Sequence, residues 1–359
     1  MLDLTAPPPC HGRSKEPPMI GLGVIGYGHW GPHVARHLAE LDDATLVAVC
    51  DHHSERLARA ERRHAGTRTS RDHRDLLADA SIDAVAIATP AASHFELAMQ
   101  ALAAGKHVWV EKPLAATLEQ ARRLADEADR RNRVLVVDHT VVYSCGVRRL
   151  AELIEAGELG RIRHVDTVRM NLGLFRDVDV IADLGVHDFA ILERLLNEPP
   201  VAVSATGRAH FDGVPADVAN VSLHYPSGAT AHVGLSWISP VRQRRMLVTG
   251  NRRMAVVDEL DATEPLRIHD KAITRSDDPA HPGRPQVTCR SGDTWVPKVD
   301  VADALHVLGR HFVDCIANGR RPLTDAHMGA RMVALVDAAT RSMRAGGRPV
   351  DLDPPGARG

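Results

Sequence analysis

Apolar residues in the first third of the chain come in short continuous runs, each followed by a turn and an amphipathic stretch. The runs are Ile20–Ile25, Leu46–Cys50, Ala84–Ala88, His107–Val110 and Val134–Val137. Rich in Val, Ile and Ala, they read as parallel strands buried on both faces. The stretches between them carry a helical period: Val34, Leu38 and Leu41 fall at i, i+4 and i+7, one apolar stripe. Ser93-His-Phe-Glu96 and Thr117-Leu-Glu-Gln120 have the form of capping boxes and predict two helix starts. Strands alternating with helices predict an α/β domain over 19–140, built on a doubly wound parallel sheet.

From about residue 141 the texture changes. One helix runs to Ala156 with Gly157 as its stop, and another starts near Asp183 and ends before Pro199-Pro200. Val221, Leu223 and Tyr225, then Ala229, Ala231, Val233, Leu235 and Trp237, alternate around Pro226-Ser-Gly228. That pattern predicts a hairpin with one buried face. Met246–Thr249 and Met254–Val257 predict a second hairpin around Gly250-Asn251, residues 262–299 read as loop, and Val301 to Ala345 reads as helix. The second domain, 141–351, is therefore expected to be α/β with a mostly antiparallel sheet. Val, Leu and Trp on the sheet's uncovered face would leave an apolar patch too large for a monomer, which predicts a homodimer or homotetramer. Pro-rich residues 1–18 and residues 352–359 read as tails.

A length of 359 residues fits two such domains. Hydrophobic residues are 44% but aromatics only 3%, so the core must be aliphatic. Lys plus Arg is 44 against 46 for Asp plus Glu, a net charge of −2, which offers no basic excess for nucleic acid. The longest uncharged run, Val218 to Val241, is broken by Pro, Gly, Ser and His and predicts no membrane span. Cys10, Cys50, Cys145, Cys289 and Cys315 are scattered, odd in number and without a close pair. This argues against a disulfide framework and for a reducing cytoplasm. The first 18 residues lack the apolar stretch of a signal peptide, so a cytoplasmic location is expected.

Gly26-Tyr-Gly28-His29-Trp30-Gly31 follows the first strand directly and opens a helix with Pro32 in its first turn. This is G-x-G-x-x-G in the setting that gives the pattern meaning: a tight turn, close approach to a pyrophosphate, and a helix N-terminus to receive its charge. Asp51 ends the second strand 20 residues past Gly31. A carboxylate there accepts bonds from a ribose diol and repels a 2′-phosphate, and His52-His53-Ser54 supplies no arginine. The expected cofactor is NAD. His29, His33 and His37 are spaced by four, but His29 precedes the helix, so no metal site is expected.

Glu111-Lys112-Pro113 makes the reading specific. GYGHWG, Asp51, Ala88-Thr89-Pro90, AGKHVWVEKP and Asp183-Leu-Gly-Val-His187-Asp188 occur in an order and spacing that resembles the Gfo/Idh/MocA oxidoreductases over roughly residues 19 to 351. The resemblance implies a Rossmann domain followed by an α/β domain whose open sheet packs against another subunit. It also implies catalytic roles for Lys112, Asp183 and His187, and a cis Lys112–Pro113 bond. His187 would be the base, Asp183 would hold it or a neighbouring hydroxyl, and Lys112 would fix the reacting oxygen. Thr89, Pro90, His94, Glu111 and Lys112 match positions that line the cofactor. His139 and Tyr143 are expected to face the cleft as substrate contacts.

Arg169-Met-Asn171-Leu-Gly173-Leu-Phe-Arg176 resembles a segment of the sugar-nucleotide 3-dehydrogenases, and its arginines suit an anionic diphosphate. The implied activity is oxidation of a ring hydroxyl, at C3, of a nucleotide-activated sugar. The keto product would pass to an aminotransferase. Free inositols or aminocyclitols are the alternative substrates, and a non-catalytic dinucleotide sensor is the alternative class.

Overall fold

The computed structural model describes residues 19–173, 177–277 and 285–352. Six parallel strands form the first sheet: β1 (Ile20–Ile25), β2 (Ala44–Cys50), β3 (Arg68–Ser70), β4 (Ala84–Ile87), β5 (His107–Glu111) and β6 (Leu135–Asp138). Their order is β3-β2-β1-β4-β5-β6, which reverses direction between β1 and β4 and leaves a crevice at the strands' C-terminal ends. Helices α1 (Gly31–Ala39), α2 (Ser54–Arg63), α3 (His73–Ala78), α4 (His94–Ala103) and α5 (Leu118–Arg130) make the crossovers. β1, β4 and β6 are buried at every position, the reason their sequences run apolar without alternation. The Thr117 hydroxyl caps α5 by accepting from the Gln120 amide at 3.2 Å. Ser93 departs from its expected role: it donates to the Pro90 carbonyl at 2.8 Å inside a 3₁₀ turn and caps nothing.

Beyond β6, α6 (Cys145–Glu155) ends where Gly157 takes φ +74°. β7 (Ile162–Leu172) follows, then α7 (Val186–Leu196), β8 (Ala202–Arg208), β9 (Val218–His224), β10 (Thr230–Ser236), β11 (Ile238–Gly250) and β12 (Met254–Asp258). Both expected hairpins are present, with His224 opposite Thr230 and Thr249 opposite Met254. The stretch 262–299, expected as loop, instead carries a third hairpin, β13 (Leu266–Asp277) and β14 (Pro285–Trp295). Its alternation is hidden in the sequence, since Arg267, His269 and Lys271 occupy one face and only Leu266, Ile268 and Ala272 go into the core. With β15 (Val350–Asp351) the nine strands run β14-β13-β12-β11-β7-β10-β9-β8-β15. The β7–β10 pair is parallel and every other pair antiparallel.

One face of this sheet, with Val221, Leu223, Ala231, Val233, Leu235 and Trp237, is wholly buried. The opposite face is mixed where an apolar patch was expected. His164, Asp166, Asn220, Ser222 and His232 stand there beside Val168, Met170 and the exposed Leu247.

α8 (Ala304–Asn318) and α9 (Ala326–Arg344) return to the first sheet. The Val137 amide donates to the Thr324 carbonyl, and the Thr324 hydroxyl donates back to the Val137 carbonyl, each at 2.8 Å. Phe312 of α8 stands edge-on to Trp109 of β5, with centroids 5.9 Å apart. The last two helices of the second region therefore clamp it to the first: one apolar cluster runs through both, and a second, mainly of the first region, takes in Ala326 and Ala330 of α9. Among the described residues no helix is long and apolar enough to cross a membrane.

Candidate active site

The crevice at the β1/β4 reversal opens into a cleft that runs from the glycine loop to α7 and β11. At its first end, Gly26 takes φ +95°, and a Cβ there would fall 2.7 Å from the Ala88 carbonyl oxygen. A Cβ on Gly31 would come within 2.1 Å of the Gly26 carbonyl, so α1 meets β1 only because both residues are glycine. Above Gly28 there is open space bounded only by Arg56. Backbone donors and free volume at a helix N-terminus fit a pyrophosphate.

Asp51 accepts from the Tyr27 and His53 amides at 2.7 and 2.9 Å, from the His53 ring at 3.0 Å, and from Arg56 at 3.3 Å. Burial pushes its carboxyl up, but these bonds outweigh burial and hold it below the usual carboxylate range. Arg56 was missed in the sequence, where only the three residues after Asp51 were weighed. It sits in the first turn of α2, within reach of the carboxylate. His29, Trp30, Thr89, Pro90, Glu111 and Lys112 also line this part of the cleft. The Trp30 indole donates to Asp138 at 3.2 Å and ties the glycine loop to β6. Burial and the neighbouring Asp138 raise the Glu111 carboxyl well above its ordinary value.

His94 lies behind this wall. It is 1% exposed, and its two ring nitrogens face the carbonyls of Pro113 and Thr89 at 2.8 and 2.9 Å. It joins the two turns that line the cofactor and is shut off from the cofactor itself. His37 meets Glu40 and His306 where α1 approaches α8. The Arg36 guanidinium faces His37 Nε2 at 2.7 Å, which keeps the ring proton on Nδ1 and denies a cation both nitrogens.

At the other end, Lys112, Asp183 and His187 line one stretch of wall. The Lys112–Pro113 bond is cis. Lys112 donates to the Asp183 carbonyl at 3.0 Å and to its carboxylate at 3.4 Å. Asp183 sits in a π turn, Ile181–Gly185, that runs into α7. Gly185 allows that turn to press on β10, since a Cβ would meet the Leu235 side chain at 2.9 Å. Burial first, then the charges of Lys112 and Arg169, hold His187 well below the ordinary imidazole value. Its Nδ1 is enclosed without a partner, which leaves Nε2 to meet a ligand.

Among the expected substrate contacts, Asn171 lines the cleft. Arg169 also reaches it, but as part of a buried triad: it donates to Asp188 at 2.7 Å and to Glu259 at 2.5 Å. Its charge is answered by protein, so it serves no diphosphate. Arg176 lies outside the described residues. Tyr143 is packed in the core with its hydroxyl 3.3 Å from Thr324, and is not part of the cleft wall. His139 is 1% exposed with both nitrogens unpartnered, also behind the wall. His139 immediately precedes the 3₁₀ turn Thr140–Tyr143, and Tyr143 ends it. The sequence reading missed Trp237, Arg242, Arg244 and Glu259, which complete the far wall. The charged run Arg242-Gln-Arg-Arg245 inside an alternating strand was the available signal.

Residues 20–139 match the oxidoreductase family model with an NAD-binding Rossmann fold, and residues 147–256 match the Gfo/Idh/MocA C-terminal domain. The chain is 32% identical over 320 residues to UDP-N-acetylglucosamine 3-dehydrogenase of Acidithiobacillus ferrooxidans, covering 87% of this chain and 93% of that one. This chain belongs to the Gfo/Idh/MocA family. It is also 30% identical over 349 residues to D-apiose dehydrogenase of Paraburkholderia graminis, covering 93% and 88% of the two chains. The solved A. ferrooxidans enzyme superposes with a TM-score of 0.75 at 30% identity, over 91% of this chain and 98% of that one. GenD2 from gentamicin A biosynthesis, solved in complex with NAD, gives 0.77 at 26% identity over 96% and 99%. As a Gfo/Idh/MocA oxidoreductase the protein uses NAD, and the glycine loop and Asp51 fit that cofactor. It is an enzyme acting on CH–OH groups, and the sensor alternative falls.

Proposed function

We propose that the protein oxidises a secondary ring hydroxyl, at C3, of a nucleotide-activated hexose to a keto sugar. The observation that carries this reading is the meeting of Lys112, Asp183 and His187 on one wall of the glycine-loop cleft. Bound NAD supplies the acceptor for the hydride that leaves carbon. The protein's own residues handle the oxygen. His187, neutral across the physiological range, takes the hydroxyl proton. Two of the three Lys112 N–H donors are held by Asp183, and the third remains for the reacting oxygen, whose developing charge it stabilises.

The nucleotide-linked sugar is supported by likeness to a UDP-N-acetylglucosamine 3-dehydrogenase over nearly the whole chain. Comparable likeness to a D-apiose dehydrogenase supports a second reading, a free sugar or polyol such as an inositol or aminocyclitol. A 3-keto sugar is prone to elimination, so a cytoplasmic aminotransferase reaction is the proposed consumer. The test supplies NAD with C3-deuterated nucleotide hexoses and, in parallel, with free cyclitols. Deuterium appearing in NADH from the nucleotide sugars is expected. Turnover of cyclitols alone would replace the first reading with the second.

A further inference from the structure

Strands β7 and β11 bring three arginines to the cleft, and among the described residues only Arg169 is ion-paired. Arg169 is held by Asp188 and Glu259. Arg242 and Arg244 lie two residues apart on β11, so they share a face of the strand, and both line the cleft. Arg244 stands opposite Arg169 in the ladder, and the β7–β11 pairing is irregular between Ile238 and Gln243. Among the described residues neither guanidinium makes a hydrogen bond or ion pair. Arg242 is exposed at the mouth and Arg244 half-buried further in.

We propose that Arg242 and Arg244 receive an anionic group, a phosphate or diphosphate, that the substrate carries beside the ring to be oxidised. The inference rests on the activated-sugar reading above and names the residues that would enforce it. A half-buried guanidinium without a direct ion-pair partner is costly, and burial together with Arg169 presses against the charge of Arg244 more than the more distant Glu259 and Asp188 support it. An incoming anion removes that cost, and a guanidinium offers phosphate two parallel donors. Glu259 and Asp188 also act on Arg244 through space, but their hydrogen bonds go to Arg169. Arg244 also acts on His187, so the anion would dock beside the proton acceptor. There is room for it: the cleft holds about 1740 Å³, above the roughly 300–1,000 Å³ of a pocket for one small ligand.

The test is calorimetric titration of the NAD-loaded protein with UDP-hexose, hexose 1-phosphate and free hexose. It compares wild type with R242Q and R242Q/R244Q. Arg242 is exposed, so its single replacement leaves folding intact. The expected result is a loss of about ten-fold or more in affinity for the anionic ligands in the double variant, a smaller loss in R242Q, and unchanged binding of free hexose. Loss for UDP-hexose alone identifies a diphosphate receptor, and loss for both anions a phosphate receptor. Equal affinity of wild type and double variant for both anions would overturn the proposal. Oxidation of free cyclitols without turnover of nucleotide sugars would remove the C3 reading. Arginine-dependent binding of hexose 1-phosphate would still uphold this one.

Discussion

Lys112 and Asp183 are joined twice, because the ammonium donates both to the backbone carbonyl and to the carboxylate of Asp183. The pair links the end of β5 to the π turn before α7, across two sequence regions 71 residues apart. Cofactor loop and base are thereby set in one frame.

Removing either end of that frame should separate binding from chemistry. Lys112→Ala and His187→Ala are each expected to lower turnover by about 10² or more while NAD affinity stays near wild type. Because His187 is held well below 6.5, kcat/KM for oxidation should stay flat on this group's account from about pH 8 down through 6.5, and fall only at lower pH. Wild-type turnover in either variant, or a base limb at the ordinary imidazole value, would remove the assigned role.

Asp51 and Arg56 act against each other on cofactor choice. The carboxylate is ionised and repels a 2′-phosphate, while the guanidinium that could welcome one is committed to the carboxylate at 3.3 Å. Wild type should therefore bind NADH more tightly than NADPH. Asp51→Ala releases Arg56 and should shift the ratio toward NADPH by about ten-fold, the scale of one charged hydrogen bond. Fluorescence titration with both reduced cofactors decides it, and an unchanged ratio would show that Arg56 plays no part.

The cofactor half was legible because its signals are local. A continuous apolar run, a glycine loop and an acid at the next strand's end are set by neighbours in sequence, and β1 was placed to the residue. The three-residue β3, Arg-Thr-Ser, has no apolar run to betray it. Across the second sheet the hairpins with apolar alternation were readable, and β13 and β14 were not, because their alternation is written in polar residues. Long-range pairing was least visible. Nothing in the sequence near Arg169 shows that Glu259, 90 residues later, will share its charge. Nor does it show that Thr324 will pin Tyr143 into the core, or that Arg242 and Arg244 will line the same cleft as Lys112.

Acid should destabilise the fold through His139. Burial holds its ring at about 4, against 6.5 in the unfolded chain. The folded state takes up this proton less readily, so the stability is complete above 6.5 and lost as pH falls toward 4. Between pH 6.5 and 5 the loss from this group is about 2 kcal/mol. Urea unfolding across that range should show it, and His139→Leu, which takes up no proton, should flatten the profile. A variant as acid-sensitive as wild type would assign the effect to other groups.

The nine-stranded sheet predicts assembly through its edge and outer face. β14 ends the sheet as an 11-residue edge strand with Val287 and Trp295 exposed, and unpaired edges of that length invite a partner. Val168, Met170 and Leu247 add apolar contact on the outer face. A symmetric dimer or tetramer is expected at micromolar concentration. Sedimentation velocity giving a 39.0 kDa species alone would refute it.

Arg169 and Arg244 stand opposite one another on neighbouring strands, and mutation should divide their roles. Arg169 is 2% exposed and holds two carboxylates, Asp188 and Glu259. Arg169→Met leaves both acids without a partner, and breaking a buried pair from one side costs about 3–5 kcal/mol. Arg244→Gln removes a charge that no acid pairs with, so stability should hold or rise slightly. The combined change Arg169→Met, Asp188→Leu, Glu259→Leu should recover most of the loss, because the cost lies in the orphaned acids. Denaturant midpoints of the three proteins measure this directly. A stable Arg169→Met would mean the triad is more solvated than its burial indicates, and would return Arg169 to the set of residues free to meet substrate.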